Sequence, residues 1–247
     1  MSQGEKGAAF RALHEGEPFL IPNPWDAGSA RVLEGLGFRA LATTSSGFAF
    51  TLGRPDGTLT LDEVADHVAG ATELPISVDL ENGYRDASRA IRRVAEAGAV
   101  GGSIEDHEPS GSSGRRRNAW PPRPRRRARS AFRSCSPRAP RITSAAIPTS
   151  TTRSRVFDAY ADAGADCLYA PGLKTVEQIR TVCDAVDLPV NVLAWPGLTV
   201  AEIFGAGAQR ISVGGRFAWV AVGALAAAAE EMRDRGTFAD AKGDWLS

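Results

Sequence analysis

Two apolar runs in this chain end in pairs of carboxylates. Asp79 and Glu81 close PISVDLE (residues 75–81), and Glu105 and Asp106 close VGGSIED (residues 100–106). If each run is a strand of a parallel sheet, the carboxyl ends share one rim, where α/β barrels keep their chemistry. Hard divalent cations such as Mg²⁺ take oxygen ligands of this kind and keep part of their water shell. The spacing therefore points to metal-assisted chemistry on a barrel rim. A plain structural role stands beside it. Alternation along a strand lets one of Asp79 and Glu81 face the core while the other caps a helix, and Glu105–Asp106 also suits a polar strand end.

The elements that must position these groups alternate regularly. Residues 19–21 form a short apolar strand ending at Asn23-Pro24-Trp25-Asp26; a helix follows over 27–36, and Gly37 is placed to stop it. Trp25 and Asp26 suit a pocket floor or a helix cap rather than catalysis. Residues 39–43 are a second strand feeding the small-residue turn Ser45-Ser46-Gly47. Thr60, with Glu63 three positions on, is a capping box for a helix over 61–72. Strand 76–80, helix 87–97 and strand 100–104 continue the pattern. It resumes with helix 156–163, strand 166–170, helix 176–186, strand 190–194, helix 200–204, strand 210–213 and an Ala-rich helix over 219–233. Nearly continuous apolar strands imply a parallel sheet covered on both faces. Seven strands are countable, and an eighth is expected inside the interruption. A length of 247 residues suits a single barrel domain spanning 1–247.

Composition excludes some classes. No apolar run approaches the roughly 20 residues of a membrane span, and the start MSQGEKGAAF lacks a signal-peptide pattern, so no membrane partner and a cytoplasmic location are expected. Cys135, Cys167 and Cys183 have no metal-binding spacing and predict no disulfide framework; Cys167, inside an apolar strand, suits core packing. His14 and His67 fall on helices expected to face solvent, and His107 lies at the mouth of the interruption.

Several stretches, in order, resemble the isocitrate lyase/phosphoenolpyruvate mutase superfamily. They are NPWDAGSARVLEGLGFRALATTSSGFAFTLGRPDG (23–57), SVDLENGYRD (77–86), GGSIED (101–106), AGADCLYAPGL (163–173), PVNVLA (189–194) and QRISVGG (209–215). The resemblance covers roughly 19–108 and 156–235. It implies an (α/β)₈ TIM-type barrel, Mg²⁺, and a small 2-oxo acid or related carboxylate whose C–C or P–C bond is made or broken through an enolate. By position it implies Asp79 as the direct Mg²⁺ ligand, with Glu81 and Glu105 holding metal-bound waters. Thr44, Ser46, Gly47 and Phe48 correspond to a substrate-carboxylate loop whose backbone N–H groups cradle an anion. Asp56, in GRPD, and Ser46 are the implied catalytic residues. A homotetramer exchanging a C-terminal helix is implied as well.

The interruption departs from the rest of the chain. Residues 109–157 hold 13 Arg and no Lys, Asp or Glu, although the whole chain carries 29 basic and 29 acidic side chains. The stretch lacks the family's gating loop, fifth strand and motifs close to TARAEN and PDLDDTI, yet keeps the family's length. IPTSTTRSRV (147–156) can be written ATC CCG ACC TCG ACG ACA CGA TCG CGC GTC. Read from the third base, this gives PDLDDTIAR. AFRSCSPRAPRI (131–142), with suitably chosen codons, can yield FPFVLTARAEN in the same way. Residues of roughly 109–156 therefore read as a frameshifted segment, with the fifth-strand region disrupted and 109–155 expected to be disordered, since Arg and Pro without aliphatic residues build no core.

The expected function is a Mg²⁺-dependent lyase-type enzyme impaired by its altered middle. A non-catalytic remnant of the same family is the alternative. The Arg-rich run 115–129 offers a third, nucleic-acid binding, but a frame error explains the missing Lys and acids better, so no physiological nucleic-acid partner is expected.

Overall fold

The computed structural model describes residues 1–68, 70–105, 130–134 and 165–238. Expectations for Cys135, Asp106, His107, the helix over 156–163 and most of 109–155 lie outside these residues. Short apolar runs become strands β1 (Phe19–Ile21), β2 (Leu41–Ala42), β3 (Ile76–Asp79), β4 (Gly101–Glu105), β5 (Ser130–Ser134), β6 (Cys167–Ala170), β7 (Val190–Leu193) and β8 (Arg210–Ser212). The helices are α1 (Gln3–Glu15), α2 (Ala27–Gly35), α3 (Ser45–Thr51), α4 (Leu61–Val68), α5 (Ala87–Glu96), α6 (Val176–Cys183), α7 (Val200–Gly205) and α8 (Arg216–Arg235).

The eight strands hydrogen-bond in the order β1-β8-β7-β6-β5-β4-β3-β2. The two ends of that order meet, because the Ala42 N–H donates to the Pro22 carbonyl at 3.1 Å. Asn23 reinforces the join: its Nδ2 donates to the Thr43 carbonyl at 3.1 Å, and its Oδ1 accepts from the Val213 and Gly214 N–H groups at 2.8 and 2.9 Å. One buried amide thus ties β1, β2 and β8 into the TIM-type α/β barrel.

All ladders are parallel except those of β5, which runs antiparallel to both β4 and β6. This corrects two expectations: the eighth strand is not parallel, and residues 130–134, within the stretch expected to be disordered, are regular. Without β5, β4 and β6 would each present an unpaired edge. An antiparallel ladder satisfies those backbone groups as well as a parallel one does, so a strand can fill the slot without the sequence that fixes its direction.

Local chemistry starts the helices where the sequence indicates. Asp26 caps α2, accepting from the Ser29 N–H at 2.7 Å, and Thr60 and Glu63 form the capping box of α4. Ser45-Ser46-Gly47, expected as a turn, is instead the first turn of α3. Apolar faces of α2, α4 and α5 pack on β2–β4 through Leu33, Val64, Val78, Ile91 and Val94. A second core joins α6 and α7 to β6–β8 through Ile179, Val192, Ile203 and Ile211.

Helix α1 closes the amino-terminal mouth of the barrel. Phe10, Phe19, Ile21 and Cys167 pack together there, and Gln209 Nε2 donates to the Leu13 and Gly16 carbonyls at 3.2 and 2.8 Å. His14 belongs to this plug rather than to the solvent-facing surface. It packs edge-on against Phe10 and Phe19, its Nδ1 contacts the Phe10 carbonyl at 2.8 Å, and its Nε2 meets Arg210 Nη1 at 3.2 Å. A guanidinium only donates, so Nε2 accepts and the proton sits on Nδ1. Burial, then the Arg210 charge, push the imidazole pKa down to about 3. His67 also departs from expectation, stacking on Phe48 at 3.7 Å, with burial lowering its pKa. Among the described residues no helix is long and apolar enough to cross a membrane, and Cys167 and Cys183 are free thiols.

Candidate functional site

The open mouth lies at the carboxyl ends of the strands, and Asp79 is fixed there from both sides. Its Oδ2 accepts the Ser45 N–H at 3.0 Å and its Oδ1 accepts the Glu81 N–H at 3.1 Å. Its own N–H donates to Thr43 Oγ1 at 2.9 Å. The last residue of β3 is thereby locked to the end of β2.

Glu81 sits in a left-handed conformation, φ 48°, which L-residues adopt only when the surroundings enforce it. Its carbonyl accepts the Glu105 N–H, tying the ends of β3 and β4 together. Burial, followed by the charges of Asp79 and Asp56, pushes its carboxyl up to about 7. Its Oε1 is buried without a hydrogen-bond partner. Tyr84, on the same turn, has a buried hydroxyl in the same condition, and its pKa is raised first by burial and then by Glu81, Asp79 and Asp56. Nothing in the spacing of ENGYRD singles out this tyrosine; only its buried hydroxyl does.

The β2–α3 loop supplies the second half of the mouth. Thr44, buried, is the N-cap of α3, and its Oγ1 lies 3.2 Å from Ser46 Oγ. Ser46 therefore meets a hydroxyl rather than a base. The serine that meets a carboxylate is Ser45, whose Oγ donates to Asp56 Oδ1 at 3.2 Å. Ser45 thus bridges Asp56 and Asp79, a role that identity and spacing did not distinguish from its neighbours'. The N–H groups of Ser46 and Gly47, in the first helical turn, have no intrahelical acceptor. The Phe48 N–H is committed to the Thr44 carbonyl at 3.1 Å and its ring is packed on His67, so Phe48 adds no donor to an anion cradle. Gly47 is required sterically: a Cβ there would lie 2.7 Å from Trp25 Cβ and 2.8 Å from Thr44 Cγ2. Gly215, after β8, approaches from the other side, where a Cβ would come within 2.5 Å of Ser46 Oγ.

Among the described residues, no three His, Cys, Asp or Glu side chains converge as a ready-made metal shell. The donor set nevertheless fits a cation of the Mg²⁺ type, which binds through one or two carboxylates and reaches other groups through its waters. Asp79 and Glu81 have no Lys or Arg within ion-pair distance among the described residues, and the buried Glu81 oxygen lacks a donor. Glu105 is half-buried and joined to Glu81 through the backbone.

Comparison with known proteins agrees with this fold. Residues 10–135 and 141–233 match the family of phosphoenolpyruvate phosphomutase. The chain is similar to the uncharacterized protein Rv1998c of Mycobacterium tuberculosis, with 32% identity over 214 residues, 81% of this chain and 79% of that one. It is also similar to the 2-methylisocitrate lyase of Halalkalibacterium halodurans, with 28% identity over 229 residues, 85% of this chain and 76% of that enzyme. In structure it resembles a Burkholderia cenocepacia J2315 protein assigned as a lyase or mutase, with TM-score 0.76, 37% identity, and coverage of 96% of this chain and 91% of that one.

Proposed function

We propose that this chain, which belongs to the phosphoenolpyruvate mutase/isocitrate lyase superfamily, binds a divalent cation, Mg²⁺, at the Asp79 rim and acts there as a lyase on a small 2-oxo acid or related carboxylate. The observation that carries this reading is the pairing of Asp79, held by two backbone N–H groups, with a buried Glu81 oxygen that has no partner. Asp79 would hold the cation directly, with Glu81 and Glu105 receiving its waters. Bound there, the cation would supply electrophilic stabilisation of the charge that develops when a C–C or P–C bond breaks. The N–H groups of Ser46 and Gly47, with the Thr44 and Ser46 hydroxyls, would orient the substrate carboxylate. Ser45 would keep Asp56 at the edge of the same mouth. The test is an assay with oxaloacetate, 2-methylisocitrate and phosphonopyruvate, with Mg²⁺ and with chelator. Turnover that needs Mg²⁺ and disappears in Asp79→Ala is expected; turnover indifferent to both would refute the assignment.

A second reading, a non-catalytic remnant of the same family, draws on β5. Glu105 pairs with Ser130 and Gly101 with Ser134, so this strand presents its amino end at the mouth. Barrel enzymes draw catalytic side chains from the carboxyl ends of strands, and a reversed β5 cannot offer one there. The same reversal is the ground for proposing that the lyase is impaired by its altered middle, with a frame error behind it. A homo-oligomer is proposed as well, because Leu225 and Met232, seven residues apart on one face of α8, are 69% and 53% exposed.

A further inference from the structure

We propose that Tyr84 is a positioning residue for the cation centre: Glu81 Oε1 and Tyr84 Oη are the two acceptors of a single cation-bound water. This rests on the cation assignment above and extends it to a residue outside the carboxylate set. Among the described residues these are the two buried side-chain polar atoms without a hydrogen-bond partner. Buried polar groups in native proteins are almost always satisfied by protein or ordered water, so each exception calls for a missing partner. Here both fall on one turn, three residues apart. A water donates two hydrogens, and a water held by a cation through its oxygen turns both of them outward.

The turn is built to hold this arrangement. Glu81, Gly83, Tyr84 and Arg85 all have positive φ, at 48°, 79°, 52° and 68°. Three of the four are not glycine, and such strain persists where the surroundings over-determine it, characteristically at ligand sites. The surroundings do so here. The Gly83 N–H donates to the Leu80 carbonyl at 2.8 Å, the Tyr84 N–H to Asn82 Oδ1 at 3.1 Å, and the Asp86 N–H to the Gly83 carbonyl at 3.1 Å. Asp86 then caps α5 through the Arg89 N–H at 2.9 Å, so the turn is anchored by β3 at one end and α5 at the other. The Tyr84 ring packs against the core beneath β2–β4, which fixes the direction of its hydroxyl. Burial first, and then the charges of Glu81, Asp79 and Asp56, raise that hydroxyl's pKa and favour its neutral form. A neutral phenol can accept from a water without adding charge to an already acidic cluster.

The experiment is a calorimetric titration of the full-length chain with Mg²⁺, paired with thermal denaturation of the metal-free protein, for wild type and Tyr84→Phe. Groups that orient a metal's ligands from outside typically change affinity 10- to 100-fold, so the Kd for Mg²⁺ in Tyr84→Phe should rise about tenfold. Metal-free Tyr84→Phe should melt at the wild-type temperature or above it, because the substitution deletes a hydroxyl that has no partner in that state. Unchanged Mg²⁺ affinity, or a lower metal-free melting temperature, would overturn the proposal, the latter by revealing a protein partner for the hydroxyl. If wild type takes up no Mg²⁺, the cation assignment itself falls and this inference with it. Wild-type binding with an indifferent Tyr84→Phe removes this inference alone.

Discussion

The Ser45 N–H donates to Asp79 Oδ2 across 3.0 Å, joining the loop after β2 to the last residue of β3. Ser45 is the first helical residue of α3, and Thr44 before it is extended at φ −135°, ψ 121°. Proline is tolerated at the first helical position and favours an extended predecessor. Ser45→Pro is therefore expected to remove this hydrogen bond, and the Ser45 hydroxyl's bond to Asp56, while leaving α3 folded. Turnover should fall about tenfold or more, since small misplacements of catalytic groups are expensive, with the circular dichroism spectrum unchanged. Equal activity would show that the Ser45 anchor is dispensable.

His14 makes the plug at the amino-terminal mouth sensitive to acid. Its folded pKa, about 3, lies below the ordinary value of 6.5, so the unfolded chain binds the proton more readily. The stability this provides is fully present above about pH 6.5 and is lost as pH falls toward 3. Linkage puts the loss at about 5 kcal/mol at most. Denaturant melts of wild type and His14→Gln between pH 7 and pH 4 check this. The wild-type curve should fall more steeply, and parallel curves would place the acid sensitivity elsewhere.

The exposed face of α8 predicts self-association. Leu225→Glu should lower the molecular mass seen by light scattering to that of one chain while leaving the barrel folded. An unchanged mass would mean that this face is not the contact.

Independent sequencing of the coding DNA between the codons for Glu105 and Asp162 bears on the reversed β5. A single-base slip near each end is expected, restoring TARAEN and PDLDDTI in frame. The corrected chain should then place a parallel fifth strand between β4 and β6. An intact frame would make the Arg-rich segment a genuine part of this protein.

Much of the barrel was legible because strands buried on both faces announce themselves as apolar runs. The side chains of Asp26, Thr60 and Glu63 likewise mark helix starts by short-range chemistry. Asp79 drew attention by closing such a run, and the resemblance of SVDLENGYRD to the family, rather than the spacing alone, set the metal reading above a structural one. The direction of β5 was not legible, since both neighbours accept a strand either way and the segment carries no apolar pattern. Ser45-Ser46-Gly47 read as a turn because small polar residues favour turns and helix starts alike. His14 and Tyr84 stayed hidden for another reason: burial by α1 in one case, and by an irregular turn in the other, arises from tertiary packing that local spacing does not encode.

The central claim is that the Asp79 rim holds a divalent cation that in turn receives a 2-oxo carboxylate. Calorimetric titration of oxalate, which mimics the chelating end of such a substrate, into wild type and Asp79→Ala with and without Mg²⁺ addresses it directly. Binding by wild type only when Mg²⁺ is present, and at least 100-fold weaker in Asp79→Ala, is the predicted result. Oxalate binding that is equal in both proteins, or indifferent to Mg²⁺, would contradict it.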